Sequence, residues 1–223
     1  MFTWGTSRFR KTVRGVGVQR LIVYIDGFNL YHGIHDWAGR KKLWLDVVAL
    51  AKSLRPASQL ISVRYFTAPV LDQPEAASRQ STYLDALMAR SPGVLTIIQG
   101  RYQRKEILCR GCGRARPHYE EKETDVNIAV SIVEDAAMAA SDAALVISAD
   151  SDLIPAVKTA RRLNSSLFIA AAFPPERYSA HLQRLMPASF LISRTKINQA
   201  QMPPVVIEPS TGRRLKRPSK WYS

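Results

Sequence analysis

The sequence has few cysteines, few histidines and no long apolar run. Its 223 residues include two cysteines and four histidines. Cys109 and Cys112 cannot build a disulfide scaffold, so we expect a reducing, cytoplasmic location. No apolar run reaches the length of a membrane span, and the first twenty residues hold no continuous apolar segment of the secretory type. We therefore expect no membrane partner.

Acidic residues are scarce compared with basic ones. The chain has 18 Asp and Glu against 32 Lys and Arg, which gives a net charge of +14 and an isoelectric point of about 10.2. Residues 1–20 carry five basic and no acidic side chains, and residues 201–223 carry five basic and one acidic. Basic tails suit a polyanionic partner, because neutralising phosphates releases counterions. Solubilising ends, or for the first residues a start codon further downstream, are the alternatives.

Apolar segments of strand length alternate with segments of helical periodicity. This alternation predicts an α/β fold, a three-layer α/β/α arrangement with a mainly parallel central sheet. We expect one domain over residues 20–195, a flexible basic tail over 1–19 and a basic extension over 196–223. The predicted strands are Arg20–Ile25, Gln59–Phe66, Val94–Gln103, Ala143–Ser148 and Ser166–Phe173, with short extended pieces at Ser189–Ser193 and Val205–Ile207. The predicted helices are Leu30–Trp37, Leu45–Leu54, Glu75–Arg90, Glu120–Ala140, Leu153–Arg162 and Arg177–Leu185.

The stretch from Ala143 to Val157 places two carboxylates directly after a buried strand. Ala143–Ser148 is almost wholly apolar, and Asp150 and Asp152 follow it. Open parallel sheets bind ligands beyond the carboxyl ends of their strands. Two neighbouring carboxylates repel each other unless a cation lies between them, so a hard divalent ion is the candidate ligand. The alternative is an Asx turn with Asp152 near the N-cap of the next helix.

Two further acids are predicted to reach the same edge. Asp26 follows the first strand, Gly27 permits a tight turn there, and Asn29 either orients a ligand or caps the helix. Asp125 opens a later helix, for which Thr124 is the predicted N-cap, although an acid there also suits the helix dipole by itself. Val126, Ala129, Val130 and Val133 form the predicted apolar face of that helix. Right-handed crossovers would gather Asp26, Asp125, Asp150 and Asp152 at one sheet edge.

Residues 101–118 form an unusual basic insert, predicted to be a hairpin. Cys109 and Cys112 are spaced like half of a tetrahedral zinc site, with His118 the one further ligand nearby. A site shared between subunits is a second interpretation. Arg101, Arg104 and Lys105 are candidate contacts to nucleic acid, and a merely solvated loop is the alternative. Trp221 and Tyr222, at the other end, could stack on bases or pin the tail to the domain.

Three short segments together resemble one known family. IDGFN at residues 25–29, KETDVNIAV at 122–130 and SADSDLIPAV at 148–157 resemble the NYN domain family, which is similar to the PIN-domain nucleases and includes the LabA-like proteins. The resemblance covers roughly residues 20–195. It departs at Ala149, where many relatives have glycine, and the acids are unaffected by this change.

The resemblance implies a PIN-like fold and a ribonuclease that uses Mg²⁺ or Mn²⁺ at an aspartate cluster. Asp26 and Asp150 are the expected direct metal ligands. Asp125 and Asp152 are expected to bind the metal directly, to bind it through water, or to orient the attacking water. Asn29 and Ser148 correspond to supporting or phosphate-contacting residues, which act together with the basic insert on single-stranded RNA.

Two alternatives to the ribonuclease stay open, and two further expectations concern assembly and a second metal. The first is an RNA-binding or regulatory module whose acidic site is weakly active or silent. The second is an NADH-dependent hydroxylase of pyridine-type compounds, because a branch of the family is associated with that activity; no GxGxxG follows the first strand to support it. A homodimer is the expected assembly, with Zn²⁺ at Cys109 and Cys112 as an additional metal.

Overall fold

The computed structural model describes residues 18–108 and 111–222, with the backbone alone described at 104, 105 and 116–121. The predicted tail over 1–19 lies almost wholly outside these residues. The strands are β1 Arg20–Asp26, β2 Gln59–Thr67, β3 Leu95–Gln99, β4 Arg101–Leu108, β5 Ala115–Lys122, β6 Ala143–Ile147, β7 Phe168–Phe173, β8 Phe190–Leu191, β9 Val205–Ile207 and β10 Arg214–Lys216. The helices are α1 Gly27–Ala38, α2 Val47–Leu54, α3 Pro74–Arg90, α4 Thr124–Ala137, α5 Ile154–Leu163, α6 Ala180–Leu185 and α7 Arg194–Gln199.

A six-stranded parallel sheet forms the centre, in the order β3-β2-β1-β6-β7-β8. One face packs against apolar residues of α1, α2, α3 and α7, and the other against α4, α5 and α6. Every residue of β6 is buried, as expected for a strand covered by helices on both faces. The predicted α/β fold, a mainly parallel sheet flanked by helices, is confirmed.

The chain reverses its direction of travel across the sheet at β1. From β1 it moves outward through β2 to β3, and it then returns to place β6 on the other side of β1. The carboxyl ends of β1 and β6 are therefore adjacent at a topological switch point. In open parallel sheets a crevice opens at such a point, and ligands bind there.

The predicted strand Val94–Gln103 is in fact two strands. β3 ends in the central sheet, where the Gly100 N–H donates to the Thr67 carbonyl over 2.8 Å. β4 then leaves the sheet and pairs only with β5, antiparallel from Arg101↔Lys122 to Leu108↔Ala115. Periodicity alone does not reveal this break, because both strands are extended and the chain turns at a single residue.

The predicted apolar face of α4 is wrong. Val126 and Val130 are 62% and 56% exposed, whereas Ile128 and Ile132 are buried against the sheet. Thr124 is also not the N-cap, since the helix begins with it and Glu123 precedes it in a left-handed conformation. The face of α4 that packs on the sheet therefore contains more polar residues than the predicted valine face.

A buried polar contact explains the rotation of α4. Asp135 is 5% exposed, and its carboxylate accepts hydrogen bonds of 2.6 Å from both the Tyr24 hydroxyl and Arg64 Nη2. Burial, followed by the hydrogen bond to Asp135, raises the pKa of the Tyr24 phenol, which therefore stays a donor. Only one rotation of the helix brings Asp135 to these two strand residues, and that rotation leaves Val126 and Val130 in solvent.

The C-terminal segment packs on the domain. Val206 of β9, Leu215 of β10 and Trp221 belong to the hydrophobic core on the α3 side of the sheet. Trp221 is 7% exposed and packs at 5.6 Å between ring centroids from Tyr83, whereas Tyr222 is 54% exposed. Of the two sequence interpretations of Trp221, pinning of the tail is the one that the structure supports.

We expect Asp135→Ala to lower the free energy of unfolding by about 2–3 kcal/mol, because it leaves a buried tyrosine hydroxyl and a half-buried guanidinium without a partner. Urea unfolding followed by circular dichroism measures this loss. The control Asp36→Ala removes a carboxylate that pairs with Arg177 at the surface, where loss of an ion pair costs under about 1 kcal/mol. Equal losses in the two variants would contradict a special role for the Asp135 contact.

Candidate functional site

Asp26 lies at the switch point and is held by two hydrogen bonds. As the last residue of β1 it caps α1, with Oδ1 accepting from the Asn29 N–H over 2.9 Å. Its other oxygen, Oδ2, accepts from the Ser148 hydroxyl over 2.9 Å. The parallel register Ile25↔Ile147 places Ser148 beside Asp26, so the local pairing of β1 with β6 dictates this contact.

The same hydroxyl links Asp26 to the loop after β6. Ser148 Oγ accepts from the Asp150 N–H over 3.0 Å while it donates to Asp26. The side chain of Asn29 crosses in the same direction, since its Oδ1 accepts from the Ala149 N–H over 3.1 Å. These bonds connect the first turn of α1 to the loop that carries Asp150. The segments at residues 25–29 and 148–157, which resemble the NYN family in sequence, are therefore in contact.

The carboxylate of Asp26 is in an unfavourable electrostatic environment. Burial is the largest effect and raises its pKa, the hydrogen bonds from Asn29 and Ser148 oppose this, and the charge of Asp150 raises it further. Asp26 is 5% exposed, and its charge in turn contributes to a raised pKa of the neighbouring Tyr65, after burial. A cation beside Asp26 and Asp150 would relieve this repulsion.

The other three predicted acids are more open to solvent than Asp26. Asp150 Oδ1 accepts from the Asp152 N–H over 2.9 Å in an Asx turn, so Asp150 is the cap of a short 3₁₀ turn over Ser151–Leu153. Asp152 and Asp125 are both exposed, and α4, which carries Asp125 in its first turn, packs against this 3₁₀ turn. The Asx turn foreseen as the alternative is present, with Asp150 as the capping residue.

Among the side chains that the structure describes, which leave out those at 104, 105 and 116–121, no three of His, Cys, Asp or Glu form a group that could hold a metal ion. The predicted cluster of four aspartates is thus not assembled as one ligand shell. What the structure brings together is the pair Asp26 and Asp150, joined through Ser148. This pair of oxygen ligands fits Mg²⁺, which is commonly held by one or two carboxylates together with waters and substrate phosphates.

The structure describes only part of the basic insert over residues 101–118. Arg101 pairs with Glu123 at the base of the hairpin. Arg104 and Lys105 lie on β4, and their side chains are outside the described atoms, as is that of His118. Cys112 is an exposed free thiol, and Cys109 lies outside the described residues, so the structure does not support a cysteine knuckle.

Sequence reasoning missed a cavity of about 380 Å³ next to Asp26. Gly27 and Phe28 lie on its wall, together with Tyr31, Tyr65, Tyr83, Tyr102 and Trp221. Gly27 is required here by close packing and not by an unusual backbone angle, since a Cβ would lie 2.5 Å from the Phe66 carbonyl oxygen and 2.9 Å from the Tyr65 hydroxyl. The aromatic residues of the cavity come from distant parts of the chain, and no local sequence pattern indicates that they meet.

This chain is similar to a curated protein and to a solved structure. It is 26% identical over 175 residues to the 6-hydroxy-3-succinoylpyridine 3-monooxygenase HspA of Pseudomonas putida, an alignment that covers 64% of this chain and 55% of that protein. The chain thus spans about half the length of this relative. A crystal structure of a protein of unknown function, VPA0982 from Vibrio parahaemolyticus, has the same fold, with a TM-score of 0.52 and 14% identity over 81% of this chain and 97% of that one.

The family comparison agrees with the segments quoted from the sequence. The NYN domain, which defines a PIN-like nuclease family, matches residues 20–192 and so includes β1, α4 and the loop after β6. None of the described helices has the length and apolar character needed to cross a membrane, and nothing in the comparisons supports the predicted homodimer. The match extends over most of the chain, and the protein belongs to the NYN domain family.

Proposed function

We propose that this protein is a metal-dependent ribonuclease that hydrolyses phosphodiester bonds of single-stranded RNA at the Asp26–Ser148–Asp150 constellation. The observation that supports it is the placement of these two acids at the switch point, where the Ser148 hydroxyl donates to the Asp26 carboxylate and accepts from the backbone N–H of Asp150, in a chain of a PIN-like nuclease family. Asp26 and Asp150 would hold Mg²⁺ or Mn²⁺, which supplies a bound water of lowered pKa and positive charge against the phosphate.

The remaining residues have supporting roles in this proposal. Ser148 fixes one oxygen of Asp26 and the backbone of Asp150, and it thereby sets the separation of the two acids. Asn29 holds the loop through Ala149. Asp125 and Asp152 are exposed on the elements that border the pair, and we assign them to orienting the attacking water. The excess of positive charge on the chain attracts the RNA backbone, so binding should weaken as salt rises.

We expect Asp26→Asn and Asp150→Asn each to lower Mn²⁺-dependent cleavage of a labelled single-stranded RNA at least about a hundredfold. Each substitution removes a negative charge that would hold the metal ion in the proposed site. Ser148→Ala should lower it by about 10–100-fold through misplacement of the acids. Initial rates on denaturing gels, with EDTA blanks, measure this.

The matched control is Asp142→Asn, which makes the same charge change immediately before β6, at the opposite end of the strand from Asp150. It should cleave RNA like the unchanged protein. Equal cleavage by Asp26→Asn and Asp142→Asn would point to a contaminating nuclease and overturn the proposal. Salt-dependent RNA binding without turnover would instead favour the regulatory module.

We also expect Asp26→Asn to raise stability at neutral pH. The pKa of Asp26 is raised in the folded protein, so its ionisation opposes folding increasingly as pH rises above about 4, where an unperturbed aspartate titrates. In EDTA the variant should melt about 2–4 °C higher at pH 7, and this difference should vanish below about pH 4. Thermal unfolding followed by circular dichroism measures both.

Two comparisons sharpen this result. Asp142→Asn should have the opposite sign, because the hydrogen bond from Arg20 lowers the pKa of Asp142 and its ionisation favours folding. Millimolar Mn²⁺ should raise the melting temperature of the unchanged protein by mass action and leave Asp26→Asn unaffected. A variant that is less stable than the unchanged protein at pH 7 without metal would contradict the strained environment inferred for Asp26.

A second candidate function is hydroxylation of a pyridine-type compound. The relative HspA is named as a monooxygenase of such a compound, and the aromatic cavity beside Asp26 is large enough for one heteroaromatic ring. The reaction would consume O₂ and NADH with one proton and give the hydroxylated ring, NAD⁺ and water.

Incubation with pyridine-3-carboxylate and NADH tests this second candidate. Substrate-dependent loss of the NADH absorbance, with a hydroxylated product by mass spectrometry, would support it. We expect no such oxidation, because the acidic pair and the family match favour hydrolysis. Heat-treated protein is the control for chemical oxidation of NADH.

A further inference from the structure

The cavity beside Asp26 is walled by aromatic rings that contact one another, and it opens to solvent. Tyr65, Tyr83 and Trp221 form a chain of ring contacts, with centroids 6.4 Å and 5.6 Å apart, and all three are nearly buried. Tyr31 and His32 of α1, whose rings are 5.2 Å apart, are exposed and border the opening. Aromatic side chains in a cavity wall can hold a flat ring through stacked or edge-to-face contacts.

One polar group in the wall lacks a protein partner. Tyr65 is 7% exposed, lines the cavity, and within the described part of the chain makes no hydrogen bond through its hydroxyl. Its hydroxyl oxygen is not one of the fully buried side-chain atoms that lack a partner, so it is accessible from the cavity and can pair with a bound ligand. A phenol both donates and accepts, and it can therefore pair with the edge of a nitrogen heterocycle.

The charge of the lining favours an anion. Arg40 and Arg79 line the cavity, and none of the described lining residues is acidic. Arg79 has Glu75 as an ion-pair partner at 3.6 Å, with a side chain of Glu75 that is 80% exposed, so this pair is weak and can yield to a ligand. A ligand that combines a flat heterocycle with a negative group matches both parts of the lining.

The position of the cavity relates it to the acidic pair. Gly27 and Phe28, which follow Asp26 directly, form part of its wall. The Tyr65 hydroxyl is close enough to the backbone of Gly27 that a methyl group would not fit between them. A nucleotide whose phosphate lies at Asp26 and Asp150 therefore has this cavity as the nearest place for a base.

We propose that the cavity binds one base of single-stranded RNA, stacked on its aromatic side chains and hydrogen-bonded to the Tyr65 hydroxyl, with the flanking phosphate that does not lie at the acidic pair directed toward Arg79 and Arg40. The placement of that base next to the cleaved phosphate rests on the proposed ribonuclease function. Base binding itself does not, since it needs no metal and no cleavage.

Isothermal titration of the full chain with AMP, GMP, CMP and UMP, in EDTA, tests the proposal without the metal site. We expect at least one monophosphate to bind at a single site. Tyr65→Phe removes one oxygen atom without changing the ring and should weaken binding about 3–10-fold. Arg79→Gln should weaken binding and reduce its salt dependence, whereas binding of the nucleoside that corresponds to the bound monophosphate should not respond to this change.

The matched control is Tyr178→Phe. Tyr178 is 60% exposed, packs on Phe173 and does not line the cavity. It should bind the monophosphates like the unchanged protein. Absence of binding by all four monophosphates, or equal affinities in the Tyr65 and Tyr178 variants, would overturn the proposal. Binding of pyridine-3-carboxylate more tightly than any monophosphate would also overturn it and assign the cavity to a small heteroaromatic acid.

Cleavage assays separate this proposal from the proposed function. If Tyr65→Phe changes which nucleotide flanks the cut while Asp26→Asn abolishes cutting, both stand. If cutting depends on Asp26 and no base binds, the base proposal fails alone. If a base binds with the expected dependence on Tyr65 and no RNA is cut, the ribonuclease proposal fails and the base site stands.

Discussion

The hydrogen bond from the Ser148 hydroxyl to the Asp26 carboxylate joins the two strands at which the chain reverses its path across the sheet. Without this bond, a buried carboxylate would face the charge of Asp150 with one fewer donor to stabilise it. The register of β1 against β6 makes the bond possible, and the apolar residues of both strands fix that register. The packing of the core therefore also fixes the geometry of the site.

A second buried carboxylate anchors one of the helices around this site. Asp135 is satisfied by Tyr24 and Arg64, so it resembles Asp26 in burial and differs from it in having a cationic partner. The contact with Asp135 fixes α4, and α4 carries Asp125 in its first turn. Natural proteins commonly keep an energetically unfavourable buried charge because function requires it. The pKa of Asp26 is raised, so Asp26 is the buried acid to which this argument applies.

The sequence predicts the fold, and it predicts that Asp26 and Asp150 follow adjacent strands, because both depend on local patterns. Apolar runs identify β1 and β6, and the acids that follow each run lie at adjacent strand ends since parallel strands align. The rotation of α4 could not be predicted, because a buried Asp135 outweighs the valines that periodicity favours. The cavity could not be predicted either, since Tyr65 and Trp221 meet only in three dimensions.

The hairpin of β4 and β5 packs chiefly against itself and is joined to the sheet through its base. A two-stranded ribbon is only marginally stable alone, so it depends on what touches its base. Tyr102 belongs to this base and also to the cavity wall. A molecule that binds in the cavity and packs on Tyr102 therefore also stabilises the base of the β4–β5 hairpin. Binding in the cavity and the stability of this hairpin are thus thermodynamically coupled.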